Sequence, residues 1–259
     1  MKIDGRAITS EILLKLSKRV SKLKKKGIIP TLAIILMGDN QASAIYVKQK
    51  TIKAGEIGAE VKLFQFGNDI TNEKIEKLVK KLAKNPDIHG ILLQRPAPKD
   101  IKVDELTELV PPEKEVDGFG TLSKFPVPVA QAAWVMLESV FKEKGIKKTN
   151  ASYLKSKKIV VIGKGETAGK PITDLLIKNG GRPIVVDSHT SDKQAVTRSA
   201  DIIISAVGKH VLNSSDIKKG AILIGVGLYR NEEGKIKGDY NDSDVMDIAS
   251  FYSPTPGGV

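Results

Sequence analysis

Apolar residues recur along this chain with two periods, and the periods alternate. Between Ser10 and Lys26 they fall at Leu13, Leu16, Val20 and Leu23, the three-and-four spacing of an amphipathic helix. Thr9 or Ser10 can cap its start, and Gly27 ends it. Thr31 to Met37 is then almost continuously apolar, as in a strand covered on both faces. A turn at Gly38-Asp39-Asn40 leads into a mixed stretch, Ala42 to Ile57, read as a helix. Glu60–Phe66 predicts a second strand, with Val61 and Leu63 inward and Phe64 a further inward candidate. Asn72–Asn85 predicts a helix, Gly90–Leu93 a third strand and Asp104–Leu109 a short helix. The order β-α-β-α-β calls for a parallel sheet.

The alternation returns in the second half. Ala130–Lys144, with Trp134, Leu137 and Phe141, predicts a helix joining the halves. Ile159–Ile162 is a strand that runs into Gly163-Lys164-Gly165-Glu166-Thr167-Ala168-Gly169 and then a helix to about Asn179. Glycines between a strand and a helix let backbone approach a pyrophosphate, and the helix N-terminus stabilises its charge. Further strands are read at Ile184–Val186, Asp201–Ser205 and Ala221–Ile224, with Asp187, Gly208 and Gly225-Val226-Gly227 at their ends. The chain is therefore an α/β protein of two domains with a cleft between them. Residues 1–125, with 245–259 returning, are expected to form a parallel-sheet domain, and 126–244 a Rossmann-like dinucleotide-binding domain.

Composition narrows the setting. The 259 residues include no cysteine, which excludes disulfides and thiolate metal sites and suits a reducing cytoplasm. No run approaches a membrane span, and the first residues, MKIDGRAITSE, carry no apolar signal-type core. The net charge of +12 admits nucleic acid or anionic small molecules as partners. The lysines are scattered and only 5% of residues are aromatic, so a solvated, lysine-rich surface is favoured over a nucleic-acid footprint.

Candidate chemistry centres on Lys50. Ser43, Tyr46 and Lys50 share one face of a helix that starts just past a strand's C-terminal end, where open α/β sheets place ligands. Gln94 follows another strand, and Asp117-Gly118 lies in a proline-rich charged loop. Taken singly, each has a plainer explanation: a solvated lysine, a half-buried tyrosine, a strand-end amide, a turn acid. His89, His189 and His210 show no ligand spacing, so no metal is assigned. Asp187 is either a turn acid or, at the end of the second strand of this half and past the glycines, a partner for a ribose 2′-hydroxyl that repels a 2′-phosphate.

Ser43-x-x-Tyr46-x-x-x-Lys50, Leu93-Gln94-x-Pro96-x-Pro98 and Pro112-x-Lys114-x-Val116-Asp117-Gly118 occur in one order. In that order and spacing the chain resembles the bifunctional methylenetetrahydrofolate dehydrogenase/cyclohydrolases over nearly its whole length. The resemblance implies oxidation of 5,10-methylenetetrahydrofolate with NAD(P), then hydrolysis to 10-formyltetrahydrofolate, in one-carbon metabolism that feeds purine biosynthesis. It implies Lys50 as the proton carrier, tuned by Tyr46 and Gln94, with Tyr46 also stacking on the aminobenzoyl ring. Asp117 would pair with the pterin, and Ser43 would orient the lysine or touch the ligand. The ending Pro254-Thr255-Pro256-Gly257-Gly258-Val259 matches the family's folate-side loop, which implicates Pro256, Gly257 and Gly258. Relatives continue through a final helix; without it, some apolar surface is expected to be exposed and that loop loosened.

On the dinucleotide side the resemblance implicates Gly163, Lys164, Gly165, Glu166, Gly169, Asp187, Ser188, Thr190 and Gly208. Several positions depart from the family pattern. Glu115 stands where an Asp is usual, and Phe125-Pro126-Val127-Pro128 lacks the usual Cys and Thr. Lys164 and Gly165 replace an Arg and a Ser that help bind the 2′-phosphate of NADP. The family default is NADP and Asp187 favours NAD; Arg182, His189 or Thr190 are candidates to restore phosphate binding, and the sequence leaves the choice open. The resemblance further implies a homodimer through the second domain, with tetrahydrofolate derivatives as ligands and neither nucleic acid nor membrane as partner. Other classes remain: a monofunctional or degenerate folate binder, a basic nucleic-acid-binding α/β protein, and a shikimate-type dehydrogenase.

Overall fold

Helix α1 (Gly5–Lys24) begins before the expected cap. The Asp4 carboxylate accepts the Ala7 N–H at 2.9 Å and caps it instead. The Thr9 hydroxyl is turned back onto the Gly5 carbonyl at 2.8 Å, inside the helix. The computed structural model describes residues 1–146 and 151–259, which fall into two units. One comprises Ser10–Pro126; the other comprises Met1–Thr9 with Val127–Val259.

In the first unit β1 (Thr31–Met37) is followed by α2 (Gln41–Ile57), β2 (Glu60–Phe66), α3 (Asn72–Lys84), β3 (Gly90–Leu93) and α4 (Val103–Thr107). The strands are parallel in the order β2-β1-β3, in register Thr31↔Glu60 and Leu32↔Gly90. The central position of β1 explains its unbroken apolar run, because successive side chains leave by opposite faces and both faces are covered. Ala33, Ile35 and Met37 pack with Ile75, Val79 and Leu82 of α3. Ile34 and Leu36 pack with Val47 of α2 and with Leu92. Strand β2 lies at the sheet edge, and its Leu63, expected inward, is 45% exposed; Phe64 and Val61 pack against the two core clusters.

The second unit carries α5 (Pro128–Glu143), α6 (Ala151–Lys155), β4 (Ile159–Ile162), α7 (Gly169–Lys178), β5 (Pro183–Val186), α8 (Lys193–Arg198), β6 (Ile202–Ser205) and β7 (Ile222–Gly225). A hairpin, β8 (Leu228–Arg230) and β9 (Ile236–Gly238), follows, then α9 (Asp242–Val245) and β10 (Phe251–Tyr252). The main sheet is parallel throughout, in the order β10-β7-β6-β4-β5. The order reverses between β4 and β6, so the crevice at their C-terminal ends is where such a sheet takes a ligand.

One boundary differs from expectation. Residues 245–259 belong to the second unit and do not return to the first. Phe251 and Tyr252 pair with Ile222 and Leu223 as the sheet's edge strand, and the Ile3 N–H donates to the Tyr252 carbonyl at 2.8 Å. Two backbone ladders thus hold a segment whose sequence offers only two consecutive aromatics as a strand signal.

Candidate active site

Helix α2 is fixed at both ends. The Asn40 side chain accepts the Ser43 N–H at 2.9 Å, and Gly58 closes the far end in the left-handed conformation. Along the face between, Ser43 is 1% exposed and its hydroxyl points to the Arg95 carbonyl at 3.5 Å. Lys50 Nζ donates to Gln94 Oε1 at 3.0 Å.

The orientation of Gln94 follows from its surroundings. It leaves β3 with its backbone N–H on the Ile35 carbonyl, and its side-chain amide donates to the Arg95 carbonyl at 2.6 Å. With the NH₂ group so used, Oε1 is the atom left facing Lys50. Burial holds the Lys50 amine below its ordinary pKa, and the negative charge of Asp117 partly restores it. Asp117 is the mirror case: burial raises its carboxyl, while Lys50 lowers it, Glu115 raises it and Arg95 lowers it. An amine and an acid each pushed towards neutrality, within one another's field, mark a candidate site for proton exchange.

The loop that presents Asp117 rests on side chains with no role assigned from the sequence. Glu115 is 3% exposed, and its two carboxylate oxygens accept the Asp117 and Gly118 N–H groups, each at 3.0 Å. Lys114 Nζ reaches the Ala83 and Asn85 carbonyls at 2.9 and 2.7 Å and ties the loop to the end of α3. The Arg95 guanidinium pairs with Asp104 at 2.7 Å and lies 4.5 Å from the Phe119 ring centroid. Tyr46 is 58% exposed and its phenol hydroxyl makes no hydrogen bond among the described residues; its flat ring is presented to solvent.

In the second unit the turn after β4 needs glycine at two places by crowding. Gly163 has φ +102°, and a Cβ there would lie 2.7 Å from the Ala206 carbonyl oxygen. A Cβ on Gly169, the first residue of α7, would lie 2.2 Å from the Gly163 carbonyl oxygen. At Gly165 nothing lies within 4 Å of that position, so no crowding forbids the serine usual there. A cavity of about 620 Å³ opens beside the turn, lined by Gly163, Lys164, Asp187, Ser188, Val207 and Lys209 among others. A bare-backbone turn, a helix N-terminus and this cavity together fit a nicotinamide dinucleotide. Gly165, Glu166, Gly169, Thr190 and Gly208 do not line the cavity.

Four of the expected cofactor residues engage each other or the fold. Lys164 Nζ lies 2.6 Å from Asp187 Oδ2, and this contact together with the His189 N–H holds the Asp187 carboxyl well below its usual range. The Thr190 hydroxyl accepts the Asp187 N–H at 3.0 Å. The Gly208 N–H is taken by Asp239, a residue the sequence did not suggest. Asp239 is 0% exposed; its oxygens accept Ser205 Oγ at 2.6 Å and the N–H groups of Val207, Gly208 and Lys209 at 3.0, 2.8 and 3.1 Å. It thereby shapes the loop after β6 that borders the glycine turn. Pro256, Gly257 and Gly258 also belong to this unit, where the Gly257 carbonyl accepts the Gly5 N–H at 3.1 Å. Among the described residues no group of three histidines or acids could hold a metal ion, and no helix is long and apolar enough to cross a membrane.

Comparison with known proteins accords with this arrangement. Residues 3–117 match the family model described as tetrahydrofolate dehydrogenase/cyclohydrolase, catalytic domain, and 144–259 match that of its NAD(P)-binding domain. The bifunctional protein FolD of Acidovorax sp. (strain JS42) is 36% identical over 99% of this chain and 92% of its own. That of Anoxybacillus flavithermus is 38% identical over 99% and 91%. The crystal structure of the bifunctional FolD methylenetetrahydrofolate dehydrogenase/cyclohydrolase from Campylobacter jejuni superposes with a TM-score of 0.90 at 32% identity, covering 100% of this chain and 92% of that one. The Trypanosoma brucei enzyme, complexed with NADP cofactor and inhibitor, gives 0.86 at 27% identity, covering 100% and 91%.

Proposed function

The chain belongs to the tetrahydrofolate dehydrogenase/cyclohydrolase family, and from that premise we propose how its own residues serve the family's two steps. These are oxidation of 5,10-methylenetetrahydrofolate to 5,10-methenyltetrahydrofolate with NAD(P)⁺, and hydrolysis of that product to 10-formyltetrahydrofolate. When bound, the dinucleotide takes up the hydride that the one-carbon unit gives up. That step moves no proton, so the protein contributes placement. Asp117 faces the pterin's amino and ring nitrogens, and the presented ring of Tyr46 lies along the aminobenzoyl group. The Gly163–Gly169 turn, with Lys164, Asp187 and Ser188 beside it, holds the pyrophosphate and ribose.

Hydrolysis does move protons. Water adds to the methenyl carbon, and a proton leaves the oxygen as the C–O bond forms. The C–N5 bond then breaks, the hydroxyl proton leaves as the formyl C=O forms, and N5 takes a proton up. One proton in all passes to solvent. Neutral Lys50 accepts the proton from water, and its ammonium form returns one to N5. The carrying observation is the half-buried Lys50 amine, lowered in pKa and held 3.0 Å from Gln94 Oε1. Gln94 accepts one N–H in either protonation state, which leaves the rest of the amine for the substrate.

Support for a homodimer comes from β5, a sheet-edge strand with exposed Ile184 and Val185. A cysteine-free chain suits the reducing cytoplasm. The proton role is tested by Lys50→Met, which keeps the length of the side chain without the amine. Hydrolysis of methenyltetrahydrofolate should fall by about 10²–10⁴-fold, while folate still binds in a fluorescence titration. Hydrolysis at the wild-type rate would remove Lys50 from the mechanism.

A further inference from the structure

We infer that the Lys164–Asp187 ion pair selects against a 2′-phosphorylated dinucleotide, so that this site takes NAD⁺ in preference to NADP⁺. The inference rests on the dehydrogenase reading and deepens it by naming which cofactor the same site takes. Lys164 is the cation that follows the first glycine of the turn, and its amine lies 2.6 Å from Asp187 Oδ2. Its charge is already matched within the protein.

Asp187 is the fixed partner. It follows β5, and its Oδ1 accepts the His189 N–H at 2.8 Å and lies 3.4 Å from the Thr190 hydroxyl. Its side chain is 20% exposed, against 65% for Lys164. The carboxylate is therefore held in place at the end of β5, the first strand after the glycine turn, where an acid accepts a ribose hydroxyl. A phosphate dianion brought to the same place meets that fixed negative charge. To answer the phosphate, Lys164 has to leave Asp187 uncompensated beside it, and an ammonium lacks the two-pronged grip of an arginine. Lys193 and Lys209 also line the cavity. Their field attracts the phosphates of either dinucleotide; the discrimination is assigned to the fixed carboxylate of Asp187.

The experiment uses the full chain as wild type, K164A, D187N and the double variant, with hydrolysis of methenyltetrahydrofolate as the check on folding. NADH and NADPH are titrated by fluorescence, 2′,5′-ADP and 5′-ADP by calorimetry, and oxidation is followed with NAD⁺ and NADP⁺. The wild type should bind NADH tighter than NADPH and 5′-ADP tighter than 2′,5′-ADP. D187N should raise the NADP⁺ to NAD⁺ ratio of kcat/KM by about tenfold or more, since one like charge is removed and one cation freed. K164A should change the NADPH to NADH affinity ratio far more in the D187N background than in the wild type, the signature of a coupled pair. A wild type that prefers NADP⁺, an unmoved ratio in D187N, or equal effects of K164A in both backgrounds overturns the inference while leaving the dehydrogenase reading intact. A wild type that hydrolyses methenyltetrahydrofolate yet binds neither dinucleotide overturns the dehydrogenase reading, and the inference with it.

Discussion

At Lys50 two effects of opposite sign meet. Burial lowers the amine's pKa from 10.5, and the Asp117 charge raises it again. The base form needed for hydrolysis is therefore gained as pH rises through a value below 10.5. The same depression sets a stability trend. The unfolded chain holds the lysine proton more tightly, so burial of Lys50 costs stability below the folded pKa, and the cost fades as pH climbs towards 10.5. Asp117→Asn removes the charge that supports the ammonium. The acid limb of kcat for methenyltetrahydrofolate hydrolysis, measured at saturating substrate, should move to lower pH. A midpoint that stays or rises would take Asp117 out of the environment of Lys50. Lys50 was legible from a helix that begins just past a strand, and Gln94 from following one; Asp117, in a loop, was legible only through the ordered motifs. The roles of Glu115 and Asp239 were not legible. Each acts by accepting backbone N–H groups, and loop conformation, not spacing, decides which of those groups need an acceptor.

Among elements, β1 was the most legible, since a strand covered on both faces must be apolar at every position. The edges were less so. Leu63 reads as core by alternation, yet edge strand β2 leaves it 45% exposed. The start of α1 was missed because its cap is Asp4, and β8–β9 because a short, half-exposed hairpin has no apolar stripe. The loop after β6 shows how an element without its own core is held. Asp239 supplies acceptors to three successive N–H groups and one hydroxyl. Asp239→Asn turns an NH₂ group towards donors on one side. It should lower unfolding free energy by about 1–3 kcal/mol, read from the urea midpoint. Because this loop borders the glycine turn, NADH binding should weaken while hydrolysis at Lys50 persists. An unchanged midpoint with unchanged NADH affinity would mean that the loop holds its shape without the carboxylate.

On the scale of the whole molecule, the two groups of functional residues are assigned to different units. Lys50, Gln94 and Asp117 lie within Ser10–Pro126, and the glycine turn with Asp187 and Asp239 lies in the other unit. The homodimer proposed above would be formed by the second of these. Among the described residues strand β5 pairs only with β4, which leaves its other edge unpaired there. Ile184 and Val185 are 42% and 38% exposed there, and Ile177 of neighbouring α7 is 56% exposed. A second copy turned about a two-fold axis would cover both the ladder and the apolar side chains, and two-fold dimers are the commonest closed oligomers. Ile184→Lys places a charge in that contact. In sedimentation the wild type should run at twice the protomer mass and the variant at the protomer mass. The variant should still hydrolyse methenyltetrahydrofolate, because β5 supplies none of the residues around Lys50. A wild-type monomer, or a variant that remains a dimer, would place the interface elsewhere.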